Sequence, residues 1–322
     1  MEFHKNILDI DPEKECNRIC EFIKEQVFLH FRREGGVVGI SGGIDSALTA
    51  ALTVRALGKD KVFGVFLPEK ESNPISLTYG EILVKKLGIK SEKVDISSAL
   101  ENLGAYGRRD EIIKKIFPEY DSNYKIKIGL PQDLLERDRL NYFSLKIIDP
   151  KGDEKRFRLS KDQLLGIIAA TDMKQRTRMT QLYYYAEKNN YLVIGTTNYS
   201  EYAQGFYVKF GDGGVDLEPI AHLYKTQVYQ LAKFLDIPEE IIRREPSPDT
   251  FSAVVSDQEF YFCIPYDLLD LLLYAQENKI LLDKVSQALN LSEEQVKRAY
   301  RDFDQKRKAS AHLDQTAPNL LG

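Results

Sequence analysis

Short apolar runs alternate with amphipathic stretches along the first hundred residues of the chain. Apolar residues recur at helical spacing over 11–33, after Asp11 and Pro12, which suit the cap and the first position of a helix. Strands are then predicted at 37–40, at 61–67 and ending at 94–96, with helices over 46–57 and 75–87. This alternation predicts an α/β fold, a doubly wound and mostly parallel sheet with helices on both faces.

The pattern changes at about residue 105. Residues 105–160 are charged and irregular, with a predicted hairpin across 149–153. We interpret 105–160 as an insertion in a single domain of residues 1–322, because it has too few apolar residues for a core of its own. Helices over 161–188 and 226–235, a strand at 191–195 and a Pro-marked loop at 245–249 follow, and the C-terminal third is predicted to be helical.

Composition and charge narrow the classes of partner. The 322 residues include 45 Lys+Arg and 49 Asp+Glu, which give a net charge of −4 and argue against a global hold on nucleic acid or an anionic membrane. No apolar run approaches the length of about 18–20 residues that spans a bilayer, and the first residues lack the apolar core of a signal peptide. Three cysteines cannot form a disulfide framework. We therefore expect a reduced, cytoplasmic protein without nucleic-acid or membrane partners.

The strongest local signal is Ser-Gly-Gly-Ile-Asp-Ser at 41–46, between a predicted strand and a predicted helix. Its two glycines allow a tight turn, and the free N–H groups of the loop and of the helix start form an anion site. Ser41 and Ser46 add hydroxyl groups, and Asp45 supplies a carboxylate suited to Mg²⁺. The Walker A ending Gly-Lys-Ser/Thr is missing.

This loop resembles the pyrophosphate loop of the N-type ATP pyrophosphatases, whose fold is that of the adenine nucleotide alpha hydrolases. In that superfamily the loop holds the β- and γ-phosphates of ATP while an acceptor attacks the α-phosphorus. The resemblance implies that ATP is a co-substrate and that it contacts Gly39, Ile40, Ser41, Gly42, Gly43, Ile44, Asp45 and Ser46. The loop alone does not choose among the members of the superfamily.

Five downstream motifs distinguish among the members of the superfamily. They lie at 174–179, 195–201, 209–217, 223–226 and 245–249. In this order they resemble NAD synthetase. The resemblance implies ATP-dependent amidation of nicotinic acid adenine dinucleotide (deamido-NAD) to NAD through an adenylate, with release of AMP and pyrophosphate. It also implies Mg²⁺ and a homodimer that binds the dinucleotide partly across its interface. With no glutaminase extension preceding the loop, we expect ammonia, free or from a separate partner, as the nitrogen donor.

The resemblance also implies the residues that handle ATP. Asp45 and Glu201, at the carboxyl ends of two predicted strands, match the acids that hold Mg²⁺. Lys225 matches a catalytic lysine that contacts ATP, where a cation neutralises charge on the pentavalent phosphorus. Thr196 and Ser247 match hydroxyl groups that touch ATP. By themselves these residues are also compatible with a solvated acid, a solvated lysine, a strand end and a turn.

A second set matches contacts to deamido-NAD. Arg176, Lys209 and Asp216 belong to it, because two cations suit a pyrophosphate and a carboxylate, and an acid accepts bonds from ribose hydroxyl groups. Lys306 falls in the C-terminal segment that closes over the substrate in the family. Asp212 either accepts a proton from ammonium as a catalytic residue or only holds its loop. Arg178 is an alternative contact or a structural ion-pair partner.

The chain departs from the family pattern in three places. Gln305 stands where a histidine is expected, the segment 257–262 is altered, and 105–160 is longer than the usual connection. The sequence gives no role for this insertion. Two alternatives remain: another adenylating pyrophosphatase with a different acceptor, and a nucleotide sensor without turnover. A tRNA-thiolating enzyme would need Cys-X-X-Cys pairs and a basic face, and both are lacking.

Overall fold

The computed structural model describes residues 3–137 and 142–320; residues 138–141, within the predicted insertion, lie outside this range. The strands are β1 (Gly35–Gly39), β2 (Val62–Phe66), β3 (Lys90–Lys93), β4 (Lys125–Gly129), β5 (Ser144–Ile148), β6 (Glu154–Arg158) and β7 (Tyr191–Ile194). The helices are α1 (Pro12–Lys24), α2 (Ile44–Leu57), α3 (Pro74–Leu87), α4 (Ser97–Asn102), α5 (Ala105–Ile116), α6 (Lys161–Asn189), α7 (Tyr199–Gln204), α8 (Lys225–Phe234), α9 (Glu239–Ile242), α10 (Tyr266–Glu277), α11 (Leu282–Leu289) and α12 (Glu293–Ser310). Single π-helical turns are formed by Glu25–His30 and Gln258–Phe262.

A four-stranded parallel sheet in the order β3-β2-β1-β7 forms the centre of the fold. Successive side chains of a strand point to opposite faces. Val38 and Ile194 accordingly pack with α1, α2 and α8 on one face, and Val37 and Val193 pack with α4, α5 and α6 on the other. The predicted doubly wound fold is thereby confirmed.

Helix ends follow the predicted signals. The Asp11 carboxylate accepts a hydrogen bond from the Lys14 N–H at the start of α1, with Pro12 in the first turn. Gly58 and Gly88 end α2 and α3 at positive φ, +85° and +65°, where other residues are strained.

The third strand was placed wrongly: it is Lys90–Lys93, ahead of 94–96. All its residues are exposed at the edge of the sheet, so it lacks the apolar signature of a buried strand.

The segment 105–160 is more regular than its charged sequence predicts. Helix α5 is followed by an antiparallel sheet in the order β4-β5-β6, and the predicted hairpin across 149–153 is confirmed between β5 and β6. Alternate strand residues such as Ile126 and Leu145 are buried against Ile167 of α6. The expectation of irregular structure was wrong because these strands are only five residues long and their polar positions hide the alternation.

The C-terminal third is helical, as predicted. Helices α10, α11 and α12 bury a separate apolar cluster that includes Leu272, Val285 and Phe303. The same cluster takes in Phe262 from the π-helical turn before α10. Across the described ranges, none of the helices combines the length and apolar character needed to cross a membrane.

Candidate active site

A cavity of about 580 Å³ opens at the carboxyl edge of the parallel sheet. Its walls come from the loop after β1, the residues after β2, helix α6, the residues after β7 and the loop 245–251. Strands β1 and β7 are neighbours, but the chain leaves β1 toward β2 on one side and reaches β7 on the other. Ligands of doubly wound folds bind at such a reversal of strand order.

The loop 41–46 is held in a fixed shape. Gly42 has φ of +72°, and a Cβ there would lie 2.2 Å from the Ser76 carbonyl oxygen, so that position requires glycine. The Ser41 and Ser46 hydroxyl oxygens are 3.0 Å apart, and the Ser46 hydroxyl donates to the Gly43 carbonyl oxygen. Helix α2 begins directly after Gly43, so its N-terminus faces the cavity and offers unpaired N–H groups to an anion.

Lys225 joins the two predicted metal ligands. Its Nζ is 2.5 Å from Asp45 Oδ2 and 3.6 Å from Glu201 Oε1. The lysine is only 1% exposed and lies behind the carboxylates, which themselves line the cavity. Burial alone would lower the pKa of Lys225, but the carboxylates of Asp45, Glu201 and Asp257 outweigh it and raise that pKa above the usual value. The ammonium group therefore stays charged.

Backbone and side-chain contacts fix this cluster from behind. Asn198 Nδ2 donates to Asp45 Oδ1 at 3.0 Å, while Asn198 Oδ1 accepts from the Glu201 N–H at 3.1 Å. The Asp270 carboxylate accepts from the Ser200 hydroxyl and from the Thr226 N–H. Since the Ser200 hydroxyl oxygen accepts from the Lys225 N–H, Asp270 anchors the start of α8.

Three acids act on the ammonium group of Lys225, because the charge of Asp257 adds to those of Asp45 and Glu201. Asp257 also lines the cavity. Burial raises the pKa of Asp257 to about 6, and burial together with the charge of Asp45 raises the pKa of Glu201. Burial is the main cause of both shifts, and a divalent cation beside these acids would favour their charged forms. No group of three or more acids, histidines or cysteines in the described part of the chain is arranged to hold a metal. Mg²⁺ needs only one or two carboxylates beside substrate phosphates, so Asp45 and Glu201 fit it.

The other predicted ATP and ammonia residues also line the cavity: Thr196, Ser247 and Asp212. Arg178, the alternative contact of the dinucleotide set, lines it as well. The Asp212 carboxylate accepts from the Val208 N–H at 3.1 Å, and burial raises its pKa to about 6. Arg178 donates to the Leu67 carbonyl and to the Gln175 amide oxygen. Burial lowers the pKa of Arg178.

Arg176 and Lys209 lie together but beyond the cavity wall. The Arg176 Nε donates to the Lys209 carbonyl oxygen at 3.2 Å, and the guanidinium group is exposed. The Lys209 ammonium group donates to the carbonyl oxygens of His312 and Gln315. The C-terminal residues after α12 therefore contact Lys209, while Arg176 stays exposed.

The two remaining residues of the dinucleotide set lie apart from the cavity lining. The Asp216 carboxylate accepts from the Tyr183 hydroxyl at 2.9 Å and from the Val193 N–H at 2.8 Å, so both of its oxygens have protein donors. Lys306 is buried and its Nζ is 2.6 Å from Asp302 Oδ2. In this structure both residues make internal contacts.

Sequence reasoning assigned no role to several residues that shape the site. Arg244 donates to the carbonyl oxygen of Gly42 at 3.2 Å and to the Ser76 hydroxyl at 2.8 Å. The Asp249 carboxylate accepts from the same hydroxyl and from the Asn73 N–H. Asp249 was part of the quoted motif 245–249, and its φ of +48° marks a special backbone position. Asp257, by contrast, has no local signal that predicts it beside Lys225.

Comparisons with known proteins find similarity over most of the chain. The family model for NAD synthase matches residues 15–125 and 141–312. A curated NH(3)-dependent NAD(+) synthetase of Mesorhizobium japonicum is 46% identical over 307 residues, 95% of this chain and 96% of that protein. Another from Thermotoga maritima is 38% identical over 85% of this chain and 94% of its own.

Solved structures share the fold. An NMN synthetase from Francisella tularensis superposes with a TM-score of 0.68 at 22% identity, over 98% of this chain and 100% of its own. An NH3-dependent NAD synthetase from Campylobacter jejuni gives a TM-score of 0.63 at 24% identity, over 97% and 100% of the two chains. The expected α/β fold is confirmed.

Proposed function

The chain belongs to the NAD synthase family, and from that premise we propose that it is a ligase that amidates deamido-NAD to NAD with ammonia at the expense of ATP. The nicotinate carboxylate oxygen attacks the α-phosphorus, and the bond to pyrophosphate breaks. Ammonia then attacks the adenylated carbonyl carbon, the bond to AMP breaks, and the nitrogen loses a proton. Both steps are assigned to the cavity at the ends of β1 and β7.

One observation carries the proposal: the loop 41–46 and the cluster of Lys225, Asp45 and Glu201 share one cavity edge. The N–H groups at the start of α2 bind the β- and γ-phosphates, and Ser41 and Ser46 add hydroxyl groups. Anion binding at a helix start and a buried cation beside it are what a leaving pyrophosphate requires.

Asp45 and Glu201 would hold Mg²⁺. When bound, the ion neutralises triphosphate charge and helps to orient the leaving pyrophosphate. The Lys225 ammonium group pairs with both of these acids, so its charge lies directly behind the place where they would hold the metal and would stabilise charge on the phosphates. Thr196 and Ser247, which both line the cavity, would position the nucleotide.

For the second step we assign Asp212 as the group that accepts the proton lost by the attacking nitrogen. Its raised pKa of about 6 makes the carboxylate a stronger base than an ordinary aspartate, and it lines the cavity. A base of that pKa is still mostly deprotonated at neutral pH. The hydrogen bond from Val208 supports the alternative, that Asp212 holds its loop.

The exposed Arg176 and the neighbouring Lys209 would bind the pyrophosphate of deamido-NAD, for which Lys209 must exchange its contacts with the C-terminal carbonyl oxygens. Asp216 and Lys306 would have to exchange their internal contacts in the same way. We also propose a homodimer, because an exposed dinucleotide site gains its second wall from a partner. A single domain with an insertion and a cytoplasmic location stay predictions.

The test mixes the purified chain with Mg-ATP, ammonium chloride and deamido-NAD and follows NAD and AMP. Equal formation of both is expected. Parallel reactions replace ammonium by glutamine, which should support no synthesis, and deamido-NAD by nicotinic acid mononucleotide, which should react far more slowly. ATP consumption without NAD would point to a different acceptor, and tight ATP binding without turnover would point to a sensor.

A further inference from the structure

A buried network of charged side chains connects α5, in the segment 105–160, to the walls of the cavity. Arg109 of α5 is 3% exposed, and its two terminal nitrogens donate to the two carboxylate oxygens of Glu71 at 2.6 and 2.7 Å. Such a two-point pairing fixes the orientation as well as the distance of the carboxylate. Glu71 lies in the stretch between β2 and α3, whose neighbours Glu69 and Ser72 line the cavity.

Lys174 of α6 forms the next connection. Its Nζ donates to Glu69, to Glu71 and to the Thr250 carbonyl oxygen, at 2.8, 2.7 and 2.8 Å. Three donors thus meet three acceptors, and the ammonium group is fully used. Helix α5 makes a second contact with the network through Tyr106, whose hydroxyl donates to Glu69 at 2.6 Å. Arg109 and Lys174 therefore compensate the buried carboxylates of Glu69 and Glu71, and the more exposed Asp110 also pairs with Arg109 at 2.8 Å.

The network continues to the phosphate-binding loop. Thr250 follows Asp249, whose carboxylate accepts from the Asn73 N–H and from the Ser76 hydroxyl. The Ser76 hydroxyl also accepts from Arg244, which donates to the Gly42 carbonyl oxygen. Ser76 itself touches Gly42 so closely that no Cβ fits between them. An unbroken set of contacts therefore runs from Arg109 to the loop 41–46.

We propose that Arg109 is a positioning residue for ATP, which acts through Glu71 and Lys174 to hold the loop 245–250 against the phosphate-binding loop. This inference rests on the proposed function for the identity of the nucleotide. It gives the segment 105–160 a role: its helix α5 supports two cavity walls without lining the cavity. Arg109 and Lys174 outweigh the effect of burial and lower the pKa of Glu71 to about 2, so the connection persists across physiological pH.

The decisive measurement is binding of Mg²⁺ with α,β-methylene ATP, a non-cleavable analogue, by titration calorimetry. Arg109→Gln should weaken this binding by about tenfold, as expected for loss of charged hydrogen bonds, and leave the affinity for deamido-NAD unchanged. Arg109→Lys keeps the buried charge but not the two-point contact. This variant should therefore fold like the wild type and still bind the ATP analogue more weakly. Arg108→Gln, an exposed neighbour on the same helix, is the matched control and should bind like the wild type.

A second readout is amide hydrogen exchange, which should become faster at 69–73 and 246–250 in the folded Arg109 variants. Wild-type affinity for the analogue in Arg109→Lys would overturn the proposal. An equal loss of affinity for the ATP analogue and for deamido-NAD, together with a lower melting temperature, would also overturn it. That result would indicate a purely structural role for Arg109. If Arg109→Gln does not fold, Arg109→Lys decides. If the wild type binds the analogue but makes no NAD, the proposed function fails while this inference is still judged by binding.

Discussion

Asp45→Asn separates the catalytic use of the acidic cluster from its effect on stability. The substitution removes one charge from a group in which three acids, Asp45, Glu201 and Asp257, surround the ammonium group of Lys225. The Asn side chain keeps the size of Asp45 but has one acceptor oxygen, whereas Asp45 uses Oδ1 to accept from Asn198 and Oδ2 to accept from Lys225. The substitution removes the charge that we propose binds Mg²⁺.

The structure sets the expected magnitudes. Loss of a metal ligand and of its transition-state charge balance costs several kcal/mol, or about 10³-fold in the rate of NAD formation at saturating Mg²⁺. Loss of the hydrogen bond from Lys225 to Asp45 costs about 1.5–3 kcal/mol. The reduced repulsion on Glu201 and its remaining ion pair with Lys225 offset part of this cost, so the free energy of unfolding should change by only about 1 kcal/mol. Lys225→Met should instead destabilise the fold by about 3–5 kcal/mol, because it leaves buried carboxylates without a cation.

The assay combines a magnesium titration of NAD formation with urea unfolding in EDTA for the wild type and both variants. Normal turnover in Asp45→Asn would refute the metal assignment. Equal stability of Asp45→Asn and Lys225→Met would refute the claim that negative charge is in excess at this site. The double variant should be closer in stability to the wild type than Lys225→Met is, because one of the unpaired charges is then gone.

Three further results are expected. Arg176→Ala should raise the KM for deamido-NAD by about 10-fold or more with little change for ATP; an effect on the ATP KM alone would contradict the assignment. Asp212→Asn should keep ATP–pyrophosphate exchange in the presence of deamido-NAD and lower NAD formation by about 10²-fold, whereas a loop-holding role would lower both. Asp257→Asn should stabilise the fold by up to about 3 kcal/mol at pH 7.5 and by little at pH 4. The sign follows because a pKa raised to about 6 favours the folded state only while the acid is protonated; equal effects at both pH values in urea unfolding would contradict it.

The sequence predicts the phosphate-binding loop well because its information is local. A buried strand, two glycines and a helix start are contiguous at 35–57, and their backbone geometry alone creates the anion site. Asp45 and Glu201 were predicted to meet because each follows a strand of one parallel sheet. That inference needed only the rule that strand ends share an edge.

The rest depends on contacts that no local pattern encodes. Asp257 reaches the cluster from a π-helical turn region and Lys225 lies beneath the acids, and both positions follow from tertiary packing. Strand β3 was misplaced because an exposed edge strand carries lysines where apolar residues were sought. The sheet β4-β5-β6 was missed because its apolar residues share a core with α6 rather than forming a separate one.

The position of β7 beside β1 divides the active site between two stretches of chain. Asp45 precedes the exposed hairpin at 149–153, while Glu201 and Lys225 follow it, and the contact between Asp45 and Lys225 spans 180 residues. A chain cut at the hairpin would give two fragments, each with an incomplete set of charged groups. Activity would then appear only when the fragments reassemble along β1 and β7. NAD formation would therefore measure how far the two fragments have reassembled.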